Sequence, residues 1–152
     1  MCGWHGDSER QCTCTPAAIT RYQKRVSGPL LDRIDIHVEV PRVNYEKLSG
    51  ERIGEASVQI RERVIDARQH QADRFRGTRC LTKTDMGPAE TRQHCQLDAA
   101  GQSLMKAAMR QLQLSARGYH RVRTLARTIA DLAGSDTVGP VQGVEALQYR
   151  PR

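Results

Sequence analysis

After Gly54 the apolar residues stop alternating and begin to recur at helical spacing, and that switch constrains the fold more than any other feature. Val58, Ile60, Val64, Ile65 and Ala67 belong to a helix of roughly 18 residues, with Arg and Glu on its outer face. Gly77 to Pro88 reads as loop, and 88–95 as a short helix. Asp98 is placed to cap a helix running to about Leu112, with Leu104, Ala107, Ala108 and Leu112 inside. The clearest pattern covers 115–133. There Val122, Leu125, Ala126, Ile129, Leu132 and Ala133 follow the i, i+3, i+4, i+7 rule, and Gly134 ends the helix. Pro140 opens a last short helix to about Tyr149. Aromatic residues are only 4% of the chain, so its core is built from Leu, Ile, Val and Ala, which suits helix packing. The expected class is mainly α, a bundle of helices.

Before Gly54 the chain reads differently. Residues 1–16 are rich in Gly and Cys and predict an irregular loop. Ala17 to Arg25 predicts a short helix, with Thr15 as N-cap and Pro16 at the first helical position. Ser27-Gly28-Pro29 stops it, and Leu30 to Arg33 forms a short turn. Ile34, Ile36, Val38 and Val40 then alternate with Asp35, His37 and Glu39, the pattern of one half-buried strand closed by Pro41. A strand needs neighbours to satisfy its backbone. This sequence offers few, so the sheet partners are expected elsewhere. The expected division is 1–41 with the Cys-containing loop and the strand, a linker at 42–54, and a helical domain at 55–152.

Charge and cysteine usage bound the function. Lys plus Arg total 24 against 17 acidic residues, giving a net charge of +7. That permits contact with a polyanion such as DNA or a nucleotide phosphate, and equally describes a soluble basic surface. Five cysteines without a signal-peptide pattern point to reduced thiols or metal ligands in the cytoplasm, not to a secreted disulfide framework. No apolar run approaches the ~20 residues that span a bilayer, so no membrane partner is expected.

Three segments could carry chemistry. Arg33 stands between Asp32 and Asp35, and its guanidinium fork suits the charge on a transferring phosphoryl group. An ordinary surface ion pair is the simpler reading. In Leu114-Ser115-Ala116-Arg117-Gly118-Tyr119-His120-Arg121, Ser115 can cap the long helix and Arg117 falls in its first turn. A cation at the positive end of a helix dipole is locally unfavourable unless it reaches an anion there; solvation alone is the alternative. Cys2, His5, Cys12 and Cys14 could bind zinc tetrahedrally, although Cys-x-Cys is a tight spacer. Cys80 and Cys95 read as buried small residues. The polar face Asp35, His37, Glu39 reads as the solvated side of a strand. No Gly-x-x-x-x-Gly-Lys-Ser/Thr loop occurs in the sequence.

Taken in order, Cys-Gly-x-x-Gly-Asp with Cys-x-Cys, Ser-Gly-Pro-Leu-Leu-Asp-Arg-Ile-Asp, Ser-Ala-Arg-x-Tyr-His-Arg, Ala-Arg-Thr-Ile-Ala-Asp-Leu and Glu-Ala-Leu-Gln-Tyr-Arg span nearly the whole chain. Together they resemble the C-terminal third of the magnesium chelatase-like AAA+ ATPases of the ComM/YifB group. The resemblance implies an AAA+ lid-type bundle preceded by one strand left over from the nucleotide-binding core. It implies Arg33 as an arginine finger acting on a neighbouring subunit, and Arg117 as the sensor 2 arginine that meets ATP phosphate. The full-length proteins would use ATP and Mg²⁺, form a hexameric ring with neighbouring subunits, and move DNA as a helicase in competence and recombination. Walker A, Walker B and the sensor 1 asparagine would lie in an N-terminal ATPase half, so this chain alone is expected not to be catalytic. Two departures stand out: Arg123 where relatives are apolar, which should loosen packing, and Gly143 inside the last helix, costing up to ~1 kcal/mol. Two other readings remain open. One is a stand-alone basic helical module that binds nucleic acid. The other is a magnesium chelatase subunit I-like partner in tetrapyrrole synthesis.

Overall fold

The computed structural model describes residues 1–7, 9–40, 43, 45, 49 and 54–150. Its contacts divide the chain into two units, Met1–Ile34 with Val38–Ile53, and Asp35–His37 with Gly54–Arg152. The expected linker at 42–54 lies outside the described residues except at 43, 45, 49 and 54. No helix among the described residues is long and apolar enough to cross a membrane.

The first unit holds two short helices, α1 (Pro16–Gln23) and α2 (Gly28–Leu31). Thr15 caps α1 by accepting from the Ala18 N–H at 3.3 Å, and Pro16 supplies a preset φ at its start. In α2, Pro29 plays the same part. Neither helix contains a buried residue.

The second unit is the helical bundle: α3 (Ser57–Arg74), a 3-10 turn at Lys83–Asp85, α4 (Pro88–His94), α5 (Ala99–Gln111), α6 (Ala116–Leu132) and α7 (Pro140–Gln148). Asp98 caps α5 through the Gly101 N–H at 2.6 Å, and Ser115 caps α6 through the Gly118 N–H at 3.0 Å. Helix α6 is the axis of the core. Val122, Leu125, Ala126 and Ala130 are buried on it, against Leu97, Met105, Val138 and Ala146. α7, α3 and α4 all pack on α6, and α5 packs on α7. Cys80 and Cys95 are buried as expected.

Four sequence expectations change. No strand forms among the described residues, and the strand expected at 34–40 is absent. Alternation marks a face, but a strand exists only with a partner ladder. Here the His37 N–H finds the Tyr149 carbonyl at 2.9 Å, while Val38 and Val40 stay 66% and 81% exposed. On α3 the apolar residues Val58, Ile60, Val64 and Ile65 are exposed and Ala67 is the buried one, close to the C-terminal end where Arg74 pairs with Asp131 of α6. On α5 the buried stripe is Gly101, Met105 and Ala108, with Leu112 and Ala107 outside. Arg123 does not loosen the core. It is 9% exposed, donates to the Cys95 carbonyl at 2.7 and 3.1 Å and to the Thr91 carbonyl at 3.3 Å, and lies over the Tyr119 ring. A buried guanidinium is tolerated when its donors find carbonyls.

Candidate functional site

The N-terminus of α6 is built around a glycine. A Cβ on Gly118 would lie 3.4 Å from both Ser115 Oγ and an Arg150 guanidinium nitrogen, so the bare backbone leaves room for the cap. Arg117 sits one residue earlier and is exposed. It lines a cavity of about 470 Å³ together with His120, Arg121, Lys83, Thr124 and Asp35.

Charge in this cavity is lopsided. The Arg121 guanidinium donates to Asp35 Oδ1, and Lys83 Nζ stands 4.0 Å from Oδ2 of the same carboxylate. Arg117 has no carboxylate partner among the described residues. Among the described residues lining this cavity, three cations thus stand against one carboxylate, and a bound anion would complete the balance. Further along α6, outside this cavity, a buried carboxylate joins the helix to its neighbours. Asp131 accepts from Arg127 Nε at 3.0 Å and from Arg74 Nη1 at 2.8 Å, tying α3 to α6. Arg127 also donates to the Asp136 carbonyl at 2.7 Å and to the Ser135 carbonyl, fixing the chain after α6.

A second, larger cavity of about 1020 Å³ is lined by Arg92, Lys106, Arg110 and Arg123 beside Met105, Met109 and Tyr119, with no carboxylate. None of the predicted site residues lines it.

Arg33 belongs to the first unit, just after α2. It is exposed, and its Nη1 donates to the Pro29 carbonyl at 3.4 Å. In the same unit the sulfurs of Cys2, Cys12 and Cys14 gather within 4.8 Å of one another. Backbone N–H groups, the Trp4 N–H at 3.4 Å among them, hold the Cys2 thiol down at about 6, while the Cys12 thiol, despite the Cys14 N–H beside it, is pushed up by the neighbouring Cys2 and Cys14 sulfurs. His5 does not join the cluster: it lies in the turn closed by the Asp7 N–H to the Trp4 carbonyl and is exposed.

Two residues of the cationic cavity escape sequence reasoning. Asp35 reads as the solvated face of a strand, yet it pairs with Arg121, 86 positions away. Lys83 lies in a 3-10 turn with no motif to mark it.

The family model described as magnesium chelatase, subunit ChlI C-terminal, matches residues 54–150. The model described as magnesium chelatase, subunit ChlI, matches residues 1–48. Competence protein ComM of Haemophilus influenzae is 37% identical over 138 residues, covering 90% of this chain and 26% of the relative. The uncharacterized YifB of Escherichia coli is 36% identical with the same coverage. An uncharacterized Mycobacterium tuberculosis protein is 33% identical over 93% of this chain and 28% of its own length. This chain thus spans about a quarter of the relatives it matches. Two family models matched in sequence order, together with bacterial relatives 36–37% identical over nine-tenths of the chain, place it in the magnesium chelatase-like family, in the group that contains ComM and YifB.

Proposed function

We propose that this chain supplies the arginine-finger segment and the helical lid of a Mg-ATP-dependent AAA+ motor, with 1–41 belonging to the core side and 55–152 forming the lid. The observation that carries the reading is the cationic cavity at the start of α6, where Arg117, Arg121 and Lys83 outnumber Asp35. That donor set fits phosphate oxygens, which cations and helix N-termini both favour. It does not fit Mg²⁺, because its single carboxylate is engaged by Arg121 and Lys83. The metal would be held by residues outside this cavity. Bound nucleotide supplies the phosphoryl group to be transferred, and the residues of this chain do three things. Arg117 orients phosphate, Arg121 and Lys83 hold Asp35 out of its way, and Arg33 meets the charge that develops on the phosphoryl group of an adjacent subunit.

The complete motor would assemble as a hexameric ring and act on DNA, in keeping with the competence function in the name of the Haemophilus relative. Titrating the chain with a fluorescent ATP analogue, alone and mixed with the ATPase half of a relative, tests the lid reading. Binding and hydrolysis only in the mixture support it, and an inert mixture refutes it.

A second observation favours a direct DNA contact. The larger cavity gathers Arg92, Lys106 and Arg110 without an acidic residue, a fitting surface for a phosphate backbone. If it binds DNA, Lys106→Ala and Arg110→Ala should each lower the salt slope by about one. Unchanged slopes would discard this contact.

A further inference from the structure

We propose that Cys2, Cys12 and Cys14 hold one zinc ion through three thiolates, as a structural clip that closes the N-terminal loop. The argument begins with distance. At a Zn–S length of about 2.3 Å, tetrahedral geometry puts neighbouring sulfurs about 3.8 Å apart. The Cys2 and Cys12 sulfurs are 3.5 Å apart, and all three lie within 4.8 Å of one another. Residues ten and twelve positions away from Cys2 are thus brought to ligating separation with only small adjustments left to make.

The backbone around the cluster points the same way. The Cys2 N–H donates to Cys14 Sγ at 3.2 Å, and the Trp4 N–H donates to Cys2 Sγ at 3.4 Å. These bonds fix where the Cys2 and Cys14 sulfurs point, the kind of outer support that orients metal ligands. Gly3 and Gly6, both at φ +85°, let the chain turn on either side of Trp4 and bring Cys2 back toward Cys14. Among the described residues of the first unit none is buried, so its loop gains little fixing from an apolar core there. A metal clip is the usual remedy for a segment of that kind. Zinc takes a fourth ligand, and with His5 outside the cluster that position falls to water or to a donor beyond these three side chains. On binding, the thiols release their protons to solvent and no electrons move.

The test uses the full chain, reduced and stripped of metal. Co²⁺ and then Zn²⁺ are added while absorbance is followed. One equivalent of Co²⁺ should give a thiolate charge-transfer band and tetrahedral visible bands, both abolished by Zn²⁺. Cys12→Ser and Cys14→Ser should each weaken binding at least about tenfold, while His5→Ala leaves it unchanged. Alkylation of the unmutated chain is a second measurement that needs no variant. Zinc should protect three thiols, while the buried Cys80 and Cys95 react slowly with or without it. No metal-dependent protection, or a Cys2–Cys12 disulfide forming in the presence of both zinc and reductant, would overturn the proposal.

Discussion

Asp131 is the side chain on which the packing of α3 against α6 most depends, and its removal has a calculable effect. The carboxylate is 4% exposed and accepts from two guanidinium groups, those of Arg74 and Arg127. Asp131→Ala leaves both cations without their counter-charge. Breaking a buried ion pair by deleting one partner costs about 3–5 kcal/mol, because the surviving charge stays desolvated. Two features set the value here near the lower end. Arg127 keeps its bonds to the Ser135 and Asp136 carbonyls, and Arg74 is already 18% exposed and can turn toward water. The expected loss is therefore about 3 kcal/mol, which at roughly 4 °C per kcal/mol for a domain of about 100 residues lowers Tm by roughly 12 °C. Urea unfolding followed by far-UV circular dichroism measures it. A double-mutant cycle with Arg74→Ala should return a coupling of about 1 kcal/mol or more. A loss below about 0.5 kcal/mol, the scale of an ordinary surface substitution, would show that the triad does not hold the helices together.

Other outcomes follow from single contacts. Gly143→Ala should stabilise the chain by about 0.5–1 kcal/mol, since the added methyl meets Leu104 Cδ2 at an ordinary 3.5 Å and helix entropy improves; a lowered urea midpoint would contradict this. Arg123→Ala should destabilise by about 1.5–3 kcal/mol through the buried Cys95 carbonyl it strands, read in the same urea assay, and a neutral result would mean water replaces the guanidinium. Backbone N–H groups of Thr82 and Leu81 hold the Asp85 carboxyl below its ordinary 3.8. A depressed folded-state value means the carboxylate's contribution is complete above the ordinary value and fades as pH falls through the depressed one. The protection factor of the Thr82 amide, its exchange relative to an unstructured peptide at the same pH, should therefore fall only below about pH 4, and a protection factor already lost at neutral pH would refute the cap.

The sequence announced its helices through their ends. Thr15, Asp98 and Ser115 all act as N-caps, and Pro140 starts α7. Those signals are local, and local hydrogen bonds decide them. What stayed hidden depends on long-range pairing. The alternation at 34–40 forms no strand among the described residues because pattern specifies a face but not a neighbour. The apolar side of α3 is exposed because only its C-terminal end, near Ala67 and Arg74, meets α6. Arg123 interrupts an apolar face in sequence, yet it satisfies carbonyls 28 and 32 residues away, which no periodicity encodes. At the candidate site, Arg117 was legible from the cap and the helix dipole. Its neighbours Asp35 and Lys83 were not, since each is brought there by the fold alone.

Paired substitutions in a full-length relative separate the roles proposed for Arg33 and Arg117. ATP-analogue affinity and steady-state ATP turnover are measured for Arg33→Ala and Arg117→Ala at the matching positions. Arg33→Ala should cut turnover by about 10³-fold or more with affinity unchanged, while Arg117→Ala should weaken affinity itself. Turnover unaffected by Arg33→Ala, or affinity unaffected by Arg117→Ala, would refute the proposed roles.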